Sequence, residues 1–188
     1  MQNTIDRLRE LAPSAPATLE EDLDIAERQA ALLLRLSDVT HPPILESMIA
    51  DVLAVTVEET APLPHSSETV RLADGSWLVR LDGADPLPWR RWNFMCAVKS
   101  ILDDPLAEAV RQQLGADEAS RRAVQVADAF AACVLLPRNW VEQVWNSGAQ
   151  EVGVLASFFE VSLEVMRLRL VRLGLLPERD RNVMRGAA

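Results

Sequence analysis

Apolar residues recur three and four positions apart over several stretches of the chain, the spacing that lines one face of an amphipathic helix. The pattern is sharpest from Trp92 to Leu102, where Trp92, Phe94, Met95, Val98, Ile101 and Leu102 share a face; Asp103, Asp104 and Pro105 are expected to stop that helix. Upstream, Leu19, Leu23, Ala26, Ala30, Leu33 and Leu34 predict a helix that starts at Thr18, carries Glu20, Glu21 and Asp22 in its first turn, and ends before His41, Pro42 and Pro43. The residues before it are expected to be loosely ordered. A second helix is expected from Ile44 to about Ala54, burying Ile44, Met48 and Val52.

Helical spacing then gives way to alternation. Val55, Thr56 and Val57 are β-branched and predict entry into a strand. Asp74-Gly75 lies between Val70 and Leu72 on one side and Trp77, Val79 and Leu81 on the other, which predicts a hairpin. Beyond Pro105 a helix through Leu106, Val110 and Leu114 is expected to end near Gly115, and a long one to run from Asp117 to Leu136. The final apolar segment predicts two helices separated by a short turn at Glu160 to Ser162, a helix-turn-helix-like spacing. Its second helix would carry Arg167, Arg169 and Arg172, side chains suited to phosphates or guanine edges.

Composition narrows this picture. At 188 residues and 49% apolar content, the chain suits one domain, or one with a small appendage, around a packed core. No apolar run is long enough to span a bilayer, and the opening residues lack the basic region and apolar block of a signal peptide, so a cytoplasmic location is expected. With 19 Lys and Arg against 28 Asp and Glu, the formal charge of -9 argues against indiscriminate binding to nucleic acid or anionic lipid. Glu151, Glu160 and Glu164 near the three arginines weigh against direct DNA binding as well.

Candidate chemistry is sparse. Cys96 and Cys133 both sit inside apolar runs and read as buried reduced thiols. The two histidines, His41 and His65, each adjoin a proline in a predicted turn. There is no H-E-x-x-H, no Gly-rich phosphate loop and no G-x-S-x-G elbow.

The stretch RRWNFMCAVKSILDDP nevertheless resembles the central helix of the ImmA/IrrE family of metallopeptidases, whose pattern is R-x-R-F-x-x-A-H-E-F/L-K-H-I-L-D. Arg91, Trp92, Val98, Lys99, Ile101, Leu102 and Asp103 fall at matching positions. A second match lies in VADAFAACVLLPR, similar to the family's E-x-x-A-D/N-x-F-A-A-x-L-L-M-P-R, through Ala127, Asp128, Phe130, Ala131, Ala132, Leu135, Pro137 and Arg138. The resemblance puts Cys96, Ala97 and Ser100 where the family has its two zinc-binding histidines and general base, and Val124 where it has the third, glutamate ligand. In H-E-x-x-H, residues four apart on one helix face grip zinc while the adjacent Glu activates its water. None of these four residues supplies that function.

What the resemblance implies is an α+β, zincin-like, mostly helical domain with a small antiparallel sheet and a C-terminal helix-turn-helix-like segment. The expected divisions are a loosely ordered 1–17, a degenerate peptidase-like domain over 18–146 and the helical segment 147–188. The implied role is that of a pseudopeptidase with no metal, binding a helix-turn-helix repressor or toxin-antitoxin-type regulator through Trp77, Val79, Arg91, Lys99 and Asp128. The strand Ser76 to Leu81 would offer its edge to an extended peptide. An active zinc peptidase with unconventional ligands and a DNA-binding regulator acting through the C-terminal arginines are the alternatives.

Overall fold

The computed structural model describes residues 3–60 and 62–177. Eight helices and three strands follow in the order α1 (Thr4–Arg9), α2 (Leu19–Leu36), α3 (Glu46–Leu53), β1 (Val55–Thr60), β2 (Ser67–Arg71), β3 (Trp77–Asp82), α4 (Leu87–Leu114), α5 (Ala116–Leu135), α6 (Arg138–Asn146), α7 (Val152–Phe159) and α8 (Leu163–Arg172) among the described residues. The mostly helical α+β expectation therefore holds. The described residues include no helix long and apolar enough to cross a membrane.

Local chemistry starts α2 where the sequence indicates. Thr18 accepts from the Glu21 amide while the Glu21 carboxylate accepts from the Thr18 backbone, a reciprocal capping box. Those hydrogen bonds hold the Glu21 carboxyl below its usual range.

Three expectations about the helices need correction. The segment before Thr18 contains α1, which buries Ile5 and Leu8 and presents the Leu8 carbonyl to the buried Gln29 amide at 3.0 Å. Two large apolar side chains in six residues suffice to hold a short helix against a core. Helix α3 begins at Glu46 and buries Ile49, Ala50 and Leu53, leaving Met48 exposed and Val52 half-buried. Its face is rotated because Ile44, fully buried, precedes the helix and lies outside its periodicity.

Helix α4, third, does not stop at Pro105 but runs on to Leu114. A proline inside a helix removes one donor, and here the orphaned Ile101 carbonyl receives Arg9 Nη2 at 2.6 Å instead.

The hairpin forms as expected, with Leu72 and Ser76 closing it and Asp74 Oδ1 accepting from the Ser76 amide at 2.9 Å. The sheet, however, is mixed. Its order is β1-β3-β2, with β3 parallel to β1 and antiparallel to β2. The chain returns through the hairpin into the middle of the sheet, so β3 is paired on both sides and Trp77, Val79 and Leu81 face the core.

Helices α4 and α5 are joined by Gly115 alone, at φ 81, and double back on one another. Phe94, Met95, Val98 and Ile101 of α4 and Phe130, Ala131 and Val134 of α5 belong to one core cluster, which also takes in Leu155, Phe159, Met166 and Leu170 of α7 and α8.

Candidate functional site

The seam between α4 and α5 is where the sequence placed its candidate chemistry. Cys96 of α4 meets Asp128 of α5, its Sγ donating to Asp128 Oδ1 at 3.9 Å. One turn further along α4 is Ser100 and one turn back along α5 is Val124, both exposed, as antiparallel helices in register require. The four residues Cys96, Ser100, Val124 and Asp128 thus occupy two successive turns of one seam, while Ala97 points into the core at 3% exposure.

The donor set of this seam is poor for a metal. Burial, reinforced by the Asp128 charge, pushes the Cys96 thiol far above its ordinary range, so it stands as a thiol beside Asp128. The Ser100 hydroxyl donates back to the Cys96 carbonyl at 3.2 Å. Val124 has no donor atom, and the Asp128 carboxyl is itself pushed upward by burial, against the Trp92 hydrogen bond and the Arg172 charge. No group of three or more His, Cys, Asp or Glu side chains among the described residues is placed to hold a metal ion. Zinc therefore does not fit the residues present.

The residues proposed to grip a partner lie elsewhere. Val79 is fully buried, and Trp77, also buried, packs beneath the Arg71 guanidinium at 5.7 Å. Because β3 is the central strand, it has no free edge for a peptide, and that expectation is corrected. A hairpin signal fixes which strands are neighbours but not that β1 will pair on the other side.

Arg91 and Lys99 are engaged inside the molecule. Arg91, 3% exposed, pairs with the Glu160 carboxylate and donates to the Glu160 carbonyl at 3.3 Å, tying α4 to the turn between α7 and α8. Lys99, 2% exposed, pairs with Asp103 at 2.5 Å within α4. Burial raises the Asp103 carboxyl, and Lys99 opposes that shift. Of the five residues expected to bind a partner, Asp128 alone is half-exposed.

The C-terminal arginines divide in the same way. Arg172 is exposed and Arg167 half-buried, but Arg169 is buried, with Nε donating to the Leu136 carbonyl at 2.9 Å and Nη1 to Cys133 Sγ at 3.4 Å. A guanidinium capping the end of α5 is not available to a DNA groove, so Arg169 leaves that set. Periodicity alone could not separate the inward arginine from its neighbours, since charged residues are ordinarily assigned outward.

Sequence reasoning also missed Arg9 and Arg122. Arg122 bridges the Asp22 carboxylate at 2.6 Å and the Ala17 carbonyl at 2.5 Å, fastening the start of α2 to α5. Nothing in the local pattern of either arginine points to these contacts.

Comparison with known proteins now bears on these observations. Residues 54–171 match the family described as the IrrE N-terminal-like domain. No curated protein matches the chain. A solved structure described as a Mycobacterium tuberculosis transcriptional regulator matches 90% of this chain at 16% identity with a TM-score of 0.60. The chain spans 52% of that protein's length, and the likeness is one of fold.

Proposed function

The chain belongs to the IrrE N-terminal-like domain family, and on that premise we propose that it is a catalytically inactive, ImmA/IrrE-like pseudopeptidase that regulates by binding a protein. The observation that carries this is the α4–α5 seam. Cys96, Ser100 and Val124 are the residues at the positions where the resemblance places the three metal ligands, and their chemistry is a half-buried thiol, a hydroxyl bonded to backbone and an isopropyl group. Ala97, at the position of the general base, has no proton acceptor.

Such a seam retains a surface without a reaction. Ser100 and Val124 are exposed and Asp128 half-exposed, so the partner meets this strip in place of the buried Trp77, Val79, Arg91 and Lys99. The favoured partner is a regulatory protein, a helix-turn-helix repressor or toxin-antitoxin component of a mobile element. The family resemblance supports this choice. The relative of known structure is itself described as a transcriptional regulator. In this reading residues 18–146 form the degenerate peptidase-like part and the segment from 147 on the helix-turn-helix-like part, its residues 178–188 lying outside the described residues.

The deciding experiment is elemental analysis of protein incubated with zinc and passed through gel filtration. The expected result is no retained zinc; about one zinc per chain, with peptidase activity lost to chelator, overturns the proposal. As a control on the placement, the combined variant Cys96→His, Ala97→Glu, Ser100→His, Val124→Glu is expected to take up zinc.

A further inference from the structure

Four cations are buried among the described residues: Arg91, Lys99, Arg122 and Arg169. Three of them face a carboxylate, from Glu160, Asp103 and Asp22 respectively. Arg169 does not. At 5% exposure its guanidinium donates from Nε to a backbone carbonyl and from Nη1 to a thiol, and among the described residues it makes no ion pair. A buried charge with only a weak sulfur acceptor and one carbonyl is costly unless an anion completes it.

Arg169 opens onto a cleft of about 630 Å³ between α2, the end of α5 and the start of α6. That volume is in the range of small-molecule sites. Leu32, Leu34, Val39, Pro137 and Trp140 give the cleft apolar walls.

Its charged lining is one-sided in a chain that is strongly acidic overall. Arg28, Arg35, Arg138 and Arg169 line it, with Glu27 as the sole acidic group of the lining. Arg28 and Arg35 stand one above the other on α2 and make no ion pair among the described residues. Arg138 has loose, exposed contacts to Glu27 at 3.9 Å and Glu142 at 3.4 Å. Exposed pairs of that length contribute little and exchange readily for a better acceptor.

We infer that this cleft binds a small amphipathic anion, with an oxyanion head held by Arg169 and the rim arginines Arg35 and Arg138 and an apolar body against Val39 and Trp140. The planar guanidinium fork suits carboxylate and phosphate oxygens alike. The site is separate from the α4–α5 seam and does not depend on the function proposed for it.

The test uses the full chain and the fluorescent sulfonate 1-anilinonaphthalene-8-sulfonate as probe. Saturable binding of one dye per folded chain is expected, displaced by octanoate or octyl phosphate and not by octylamine or octanol; the stronger of the two displacers identifies the preferred head group. Arg35→Gln with Arg138→Gln, both at exposed positions, is expected to weaken dye binding by about tenfold with an unchanged thermal melt. Arg169→Gln is expected to abolish it, and the rim variant decides the matter if Arg169→Gln does not fold. Absence of saturable binding, equal displacement by octylamine or octanol, or an affinity indifferent to the rim arginines would overturn the inference.

Discussion

Arg9 Nη2 donates to the Ile101 carbonyl across 92 positions of sequence, at 2.6 Å. That carbonyl is the one Pro105 leaves without its helical donor, so a side chain from α1 repairs a gap in the backbone of α4. The repair explains why α4 continues through the Asp-Asp-Pro sequence and why the N-terminal segment is ordered. The two halves of the chain are joined at this point: α1 reaches α4, and α4 packs on α5.

Replacing Arg9 by Met is expected to destabilise the protein by about 1–3 kcal/mol, the cost of an unsatisfied buried carbonyl. Pro105→Ala restores a backbone donor, so it should stabilise the Arg9→Met protein by more than it changes the parent. Urea melts of the four members of this cycle measure the coupling; strictly additive effects would show that Arg9 acts through something other than the Ile101 carbonyl.

A second long-range tie, Arg91 to Glu160, fixes the turn between α7 and α8. Glu160 sits at φ 52, a left-handed conformation disfavoured for a side chain with a Cβ. It is held there by main-chain bonds from α7 and by Arg91 on both its carbonyl and its carboxylate. Glu160→Ala loses the ion pair and keeps the backbone cost, whereas Glu160→Gly loses the pair and relieves the cost. The Gly variant should therefore be the more stable of the two by about 1 kcal/mol in thermal or urea melts, with both below the parent.

The Cys96 thiol should be nearly inert. Burial is the main cause of its raised pKa and the Asp128 carboxylate the next, so Asp128→Asn removes the second and lowers the thiol pKa toward its ordinary range. At fixed alkaline pH the thiolate fraction rises about tenfold for each unit of that fall. Iodoacetamide labelling of Cys96, followed by mass spectrometry, should speed up in Asp128→Asn. The same variant compared at pH values below the Asp128 pKa, where the parent carboxyl is already neutral, should show no such advantage. A labelling rate that ignores Asp128 at every pH would mean the two side chains do not interact.

Much of this was legible from the residues. Thr18 followed by Glu20, Glu21 and Asp22 announces a helix start, and Asp74-Gly75 with its flanking alternation announces a hairpin. The spacing from Trp92 to Leu102 identifies the central helix, whose buried set includes Phe94, Met95, Val98, Ile101 and Leu102. The match of the Arg90 and Val126 regions to one family was also visible, because motifs record local chemistry at fixed spacing.

The partner surface was not legible, for a physical reason. Period-two and period-3.6 patterns say which residues share a face, but long polar side chains can bury their heads wherever a distant group completes them. Arg91, Arg122 and Arg169 all point inward because Glu160, Asp22 and the end of α5 are there to meet them. Strand order has the same character: β3 reaches the centre of the sheet because β1, separated from it by the whole hairpin, pairs along its other side.

The sequence by itself determined most of the elements, the start of α2 at Thr18, the family and the absence of H-E-x-x-H. Those depend on interactions within a few residues or on identity at fixed spacing. Tertiary structure alone decided that α4 survives Pro105, that β3 has no free edge, that Cys96 and Asp128 meet, and that Arg169 faces a cleft instead of a solvent groove. Each of these depends on which group from elsewhere in the chain arrives to satisfy a carbonyl, a strand edge, a thiol or a charge, and that is settled by packing.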